Sequence, residues 1–148
     1  VNNRYQLEKY TKALFAEYDP ADGEKIYLAI SDLNKFKSIN DTFGHKEGDR
    51  ALVIVANAMK TACGWTQAFL ARYGGDEFVI IVKSEADGTI RDICRRVDEI
   101  LAKASEELPY VLSTSFGIAE YDDPSESFEK LFRRADDELY KVKNSGKR

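Results

Sequence analysis

Between residues 3 and 18, Leu7, Tyr10, Leu14, Phe15 and Tyr18 recur every three or four positions, which predicts a helix with one buried face. Asp19-Pro20-Ala21-Asp22-Gly23 then gathers turn-forming residues. An unbroken apolar run from Ile26 to Ile30 predicts a buried strand over about 25–30, followed by a polar loop. A second helix is expected from near Gly48, with Leu52, Val55, Met59 and Ala62 on one face. Two further strands, Ala68 to Tyr73 and Phe78 to Val82, flank Gly74-Gly75. A glycine pair between apolar runs predicts a tight hairpin, because such turns need positive φ. A long helix over roughly 86–106 carries Ile90, Ile93, Cys94, Val97, Ile100, Leu101 and Ala104 as its core stripe. A fourth strand runs from about Val111 to Ala119. The last helix is expected to open at Asp123-Pro124-Ser125-Glu126, read as an N-cap, a first-turn proline and a capping-box glutamate, and to bury Phe128, Leu131, Phe132, Ala135 and Leu139.

Apart from the first helix, the order is strand, helix, hairpin, helix, strand, helix. This is an α+β, ferredoxin-like arrangement: a central, mostly antiparallel sheet flanked by helices. In that topology the first strand lies beside the hairpin, which brings Asp32 close to Asp76. Two acids forced together at a strand end form a candidate Mg²⁺ site, since Mg²⁺ takes oxygen ligands and usually only one or two carboxylates. A strand-end cap for Asp32 and a solvated turn for Asp76 and Glu77 are the plainer alternatives.

Composition adds limits. The 148 residues suffice for one domain with a core, and 43% hydrophobic with 32% charged residues is ordinary for a globular chain. A net charge of −4 argues against a nucleic-acid tract, and an anionic ligand would need local cations or a metal. Cys63 and Cys94 require no disulfide and fit a reducing cytoplasm, with Cys94 on the apolar face of its helix. No apolar run approaches the roughly 18 residues of a membrane span. The chain is expected to be a single domain over 1–148 cut from a longer protein. That domain is expected to be cytoplasmic, alone or as the cytoplasmic portion of a membrane-anchored protein, without direct membrane contact.

Residues 32–49, Asp-Leu-Asn-Lys-Phe-Lys-Ser-Ile-Asn-Asp-Thr-Phe-Gly-His-Lys-Glu-Gly-Asp, form one motif, and Arg72-Tyr73-Gly74-Gly75-Asp76-Glu77-Phe78 a second. Ala135-Asp136, Leu139-Tyr140, Lys143 and Gly146 form a third. Together, in this order, they resemble the GGDEF domain, the catalytic domain of bacterial diguanylate cyclases, over essentially the whole chain. Polymerase palms and nucleotidyl cyclases share the expected layout. The resemblance implies condensation of two GTP into cyclic di-GMP, with Mg²⁺ or Mn²⁺, at a two-fold homodimer of half-sites. It also implies an upstream sensory or dimerisation domain.

By the same resemblance, Asp32, the Leu33 carbonyl, Asp76 and Glu77 hold metal. Glu77 either ligates or deprotonates the attacking hydroxyl. Asn40 and Asp49 read guanine, which has the donor pair a carboxylate accepts from; Asp49 is also compatible with helix capping. Leu52 packs against the base or serves the core. Backbone N–H groups of Asn34, Lys35 and Phe36 meet the β- and γ-phosphates, with Lys37, Lys143 and Lys147 as phosphate cations. His45 is expected to serve structure, and Arg72 to approach phosphate or stay solvated.

The chain departs from the family pattern in four places. Asn34 stands where the family often has an aspartate, and Lys147 where it often has an arginine. The Asp-x-Leu-Thr-Gly run that usually precedes the first helix is missing. Trp65-Thr66-Gln67-Ala68 replaces the Arg-x-x-Asp of the family's product-inhibition site, so tight feedback is not expected. The rival readings are a catalytically silent, GTP-binding regulatory module and a cyclase that also accepts ATP.

Overall fold

The computed structural model describes residues 1–145. Helix α1 (Arg4–Ala16) starts at a capping box: the Asn3 side chain accepts from the Gln6 N–H, and the Gln6 side chain accepts from the Asn3 N–H. A short 3₁₀ turn at Pro20–Asp22 leads into β1 (Lys25–Leu33). Helices α2 (Phe36–Phe43) and α3 (His45–Cys63) follow, then β2 (Phe69–Arg72), β3 (Glu77–Ser84), α4 (Gly88–Ser105), β4 (Thr114–Tyr121) and α5 (Phe128–Asn144).

The sheet has the order β2-β3-β1-β4, and every neighbouring pair is antiparallel. This is the expected ferredoxin-like core with β1 at its centre. Alternation along β1 and β3 sends side chains to two cores. Tyr27, Ala29, Phe78, Ile80 and Val82 pack with Val55, Met59, Val97 and Leu101 of α3 and α4. Ile26, Leu28, Ile30, Val79 and Ile81 pack with Leu7, Leu131, Ala135 and Leu139 of α1 and α5. The continuous apolar run in β1 therefore reflects a strand covered on both faces. Asn2 bridges to Ala71, so the N-terminal segment protects the open edge of β2.

Four expectations change. β1 continues to Leu33 instead of ending at Ile30, because Ser31, Asp32 and Leu33 still pair with β4. Residues 36–43 are helical, and α3 begins at His45, ahead of Gly48. The last helix begins at Phe128 with Ser127 as its cap, its side chain accepting from the Lys130 N–H. Asp123 instead accepts from the Ser125 N–H and hydroxyl, closing a local turn that competes with capping, and Glu126 pairs with Arg134. Finally, Gly74 and Gly75 do not adopt positive φ; Gly23 and Gly44 do. The hairpin spans Tyr73–Asp76 rather than a two-residue primed turn.

Candidate active site

The motif residues converge at the end of β1, under the β2–β3 hairpin. Asp32 and Glu77 are directly paired in the β1–β3 ladder, so their side chains emerge on the same face of the sheet. Glu77 thus stands with Asp32, which alternation counted from Asp76 alone did not predict. Asp76, just before β3, lies beside Asp32; burial, then the Asp32 charge, pushes its pKa up to about 6. The Glu77 pKa is also raised, by burial first and then by Asp32 and Asp136, while Arg4 opposes the shift.

Gly74 serves this cluster through space rather than φ. A Cβ on Gly74 would meet Glu77 Oε1 at 2.5 Å, whereas Gly75 faces open space. Arg72 spans the tip, its Nε donating to the Gly75 carbonyl at 3.1 Å, so it braces the hairpin. Arg4 lies over the Tyr73 ring, 4.2 Å from its centroid, and donates to the Tyr73 hydroxyl.

Lys143 reaches back from the last turn of α5 and places its Nζ 3.0 Å from Asp32 Oδ2. It is the principal counter-charge to the acid pair among the described residues. A cleft of about 480 Å³ opens beside them, lined by Leu33, Lys35, Phe36, Lys37, Asn40, Asp41, His45, Asp76 and Lys143. A larger concavity of about 630 Å³ between α1 and α5 contains only Tyr73 of the first two motifs and lies apart from the acid pair.

At the foot of the cleft, Lys35 adopts a left-handed conformation at φ 57° and forms the N-cap of α2 without a side-chain cap bond. The first N–H to find an intrahelical partner is that of Ile39, on the Lys35 carbonyl. The N–H groups of Phe36, Lys37 and Ser38 therefore point out of the helix start, the polarity that favours an anion.

Asn34 is placed differently from expectation. Its N–H donates to the Ser113 carbonyl at 2.9 Å, its Nδ2 to Ser113 Oγ, and its Oδ1 accepts from Ser115 Oγ. At 5% exposure and with its backbone N–H committed to Ser113, Asn34 offers no backbone N–H to a ligand. It anchors the turn after β1 to β4 instead. The serine partners lie far along the chain, so no local signal marked them.

Asn40 lines the cleft, and Asp49 stands exposed in α3 as its fifth residue, too far along to be a cap. Leu52 is partly buried against the α3–α4 core. Lys37 is exposed and pairs with Asp41 at 3.1 Å. His45 is exposed at the start of α3 and lines the cleft. Lys147 and Gly146 lie outside the described residues. Cys63 and Cys94 are buried free thiols, as expected for Cys94, with pKa values pushed up by burial to about 11 and about 12. Trp65 is 80% exposed in the turn after α3.

The oxygen-only donor set fits a hard divalent cation. Asp32 and Asp76 are in contact and repel, and the Leu33 backbone adjoins them, its N–H donating to the Asp76 carbonyl at 3.4 Å. No group of three or more His, Cys, Asp or Glu residues arranged for a metal occurs among the described residues, so backbone, substrate and water oxygens would complete the shell.

An acid pair at the end of a central strand, facing a hairpin on an antiparallel sheet, defines a nucleotidyl-cyclase-type fold and site. The family model "Diguanylate cyclase, GGDEF domain" matches residues 1–148, and the chain belongs to that family. The diguanylate cyclase DgcP of Pseudomonas aeruginosa is 33% identical over 129 residues, covering 85% of this chain and 19% of that protein. The GGDEF domain of DgcB from Caulobacter crescentus, solved in complex with c-di-GMP, superposes with a TM-score of 0.80 at 31% identity, over 97% of this chain and 86% of that one. The active GGEEF domain of a diguanylate cyclase from Vibrio cholerae gives 0.86 at 26% identity, over 98% and 92%. The chain thus spans less than a third of the length of curated relatives such as DgcP and the Escherichia coli cyclase DgcM, at 19% and 29%. No helix among the described residues is long and apolar enough to cross a membrane.

Proposed function

We propose that this domain is a catalytically competent diguanylate cyclase module. It condenses two GTP into cyclic di-GMP with release of two pyrophosphates. The observation that carries the reading is the contact between Asp32 and Asp76 beside a cleft floored by the start of α2.

Asp32, Asp76 and the Leu33 carbonyl would hold Mg²⁺ or Mn²⁺, with Glu77 beside them. When bound, the metal neutralises phosphate charge and lowers the pKa of the attacking hydroxyl. Phe36 and its two successors receive the terminal phosphates on their backbone N–H groups, with Lys35, Lys37, Lys143 and Lys147 supplying positive charge. Asp49 accepts from the N1–H and 2-amino groups of guanine, and Asn40 reads the neighbouring edge. The raised pKa of Glu77 suits it to take the proton of the 3′-hydroxyl. Each 3′-oxygen forms a bond to the α-phosphorus of the other GTP. Each α-phosphorus loses pyrophosphate, and two protons are released.

One chain supplies one GTP and half a reaction centre, so the active form is a two-fold homodimer in which positioning and electrostatics do most of the catalysis. We assign it to the cytoplasmic part of a longer protein with an upstream sensory or dimerisation domain. Intact Asp32, Asp76 and Glu77 favour this over the silent GTP-binding module.

The test is incubation with GTP and Mg²⁺ and chromatographic detection of cyclic di-GMP, with folded Asp76→Ala as control. The parent forms product and the variant does not. GTP binding without product supports the silent module, and near-parental turnover by Asp76→Ala sinks the site.

Tight product feedback is not expected. Trp65 offers only an exposed ring, and the nearby Arg95 and Arg96 are tied to Asp92 and Glu99 of their own helix. Saturable submicromolar binding of cyclic di-GMP away from the cleft, seen by calorimetry, would contradict this.

A further inference from the structure

We propose that Gly48 is a positioning residue for base recognition: having no side chain there, α3 leaves room for the Asn40 amide to sit against it, next to Asp49. The inference rests on the reading of Asn40 and Asp49 as guanine-binding residues.

Glycine is, after proline, the least favourable residue in a helix interior. Gly48 is buried in the first turns of α3, and its φ is not positive. Backbone conformation therefore gives no reason for a glycine. Space does. A Cβ built on Gly48 would lie 1.9 Å from Asn40 Oδ1, 2.8 Å from its Cγ and 3.3 Å from its Nδ2. The three nearest atoms all belong to one side-chain amide.

The main chain around that amide is fixed. The Asn40 carbonyl accepts from the Gly44 N–H at 2.9 Å, and the Gly44 carbonyl accepts from the Gly48 N–H at 3.1 Å. Gly44 itself turns the corner between α2 and α3 at φ 94°. Two consecutive hydrogen bonds thus lock residues 40, 44 and 48 together. Any added methyl group must displace the Asn40 side chain, because that is the part free to rotate.

The consequence is specific. Alanine at 48 suits the helix, so the fold should survive. What changes is where the Asn40 amide presents its donor and its acceptor. Turned off α3, it no longer shares a base edge with Asp49. A site built to hydrogen-bond its substrate discriminates through the placement of those groups, so misplacing one removes both affinity and selectivity.

The experiment uses the full chain with 3′-deoxy-GTP and 3′-deoxy-ATP, which lack the attacking hydroxyl, titrated at equilibrium with Mg²⁺. The proteins are the parent, Asn40→Ala, Gly48→Ala and Asn40→Ala/Gly48→Ala, each checked by circular dichroism and thermal melting. Asn40→Ala should weaken guanine-nucleotide binding about tenfold, the scale of one lost hydrogen-bonding group in a site. Gly48→Ala should match that loss and narrow the guanine-over-adenine preference, with an unchanged or higher Tm. The double variant should bind no more weakly than Asn40→Ala alone, since the second change acts only through the first residue.

Parental affinity in Gly48→Ala alongside impaired Asn40→Ala overturns the inference, as do independent, multiplying losses in the double variant. Parental affinity in Asn40→Ala removes the guanine-binding reading itself. If Gly48→Ala folds poorly, the double variant decides: recovered folding with Asn40→Ala-like affinity supports the coupling, and a protein still unfolded refutes it.

Discussion

Asp76 is held where its charge is unwelcome. Its pKa rises from 3.8 to about 6 because burial and the neighbouring Asp32 disfavour the carboxylate. In the metal-free protein the sign follows directly. Below about pH 4 the group is protonated in both folded and unfolded chains, and its contribution is fully present. As pH rises through about 6 the folded form must also ionise, and that contribution is lost. Asp76→Asn keeps the shape without the charge. In chelator, Asp76→Asn should match the parent near pH 4 and exceed it at pH 8. The expected gain is about 1 kcal/mol after allowing for solvent screening, or roughly 3 °C in Tm. Thermal melts across that range check it; a variant no more stable than the parent at pH 8 would show the acids to be unstrained. The same substitution should abolish cyclisation.

At this scale the sequence was informative where chemistry depends on residue type. Asp32, Asp76 and Glu77 do converge, because the β1–β3 register sets Asp32 opposite Glu77. Asn34 was misread: its amide and N–H go to Ser113 and Ser115, more than seventy residues away, and no neighbouring residue announces them. The pull of Arg4 and Asp136 on Glu77 also depends on contacts distant in the chain, which the motifs alone did not reveal.

The elements set how precisely these residues meet. Helix α5 delivers Lys143 to Asp32, and it lies close against β4 because Gly117 has no side chain. A Cβ there would sit 2.1 Å from the Ala135 carbonyl oxygen and 2.4 Å from the Leu139 nitrogen, both backbone atoms that cannot rotate aside. Gly117→Ala should therefore lift α5, at a cost of about 1–3 kcal/mol, as for other overpacked cores. It should also loosen the Lys143–Asp32 pair one turn beyond Leu139. Gly75→Ala, facing open space, is the control and should leave stability nearly unchanged. Chemical denaturation distinguishes the two; equal stability for both variants would mean α5 has slack. The long helices were legible from their apolar stripes, whose centres α3, α4 and α5 bury, while Leu52, Ile100, Ala104, Phe128 and Phe132 at the margins are only partly buried. Helix α2 was not, although Phe36, Ile39 and Phe43 follow helical spacing, because eight residues give barely two turns of pattern. The start of α5 was displaced because Asp123 found a nearer partner in Ser125.

Across the whole molecule, the sheet is covered on both faces, by α3 and α4 on one side and by α1 and α5 on the other. Unbroken apolar runs in β1 and β3 already implied that burial, whereas the identity of the covering helices depended on topology. The cleft remains open beside Lys35, Lys37 and Asp76. On the proposed reaction, one domain holds one GTP and cannot form either new bond alone. The initial rate per molecule should therefore rise with protein concentration while dimers are scarce, approaching proportionality at the lowest concentrations, and level off once dimerisation is complete. Addition of catalytically dead but nucleotide-binding Asp76→Asn should dilute productive pairs and lower the parent's specific activity. The check is product formation over a hundredfold range of protein, with mass measured by light scattering at each point. A constant specific activity in samples that are monomeric throughout would refute the two-half-site reaction, because a single chain would then contain everything the chemistry requires.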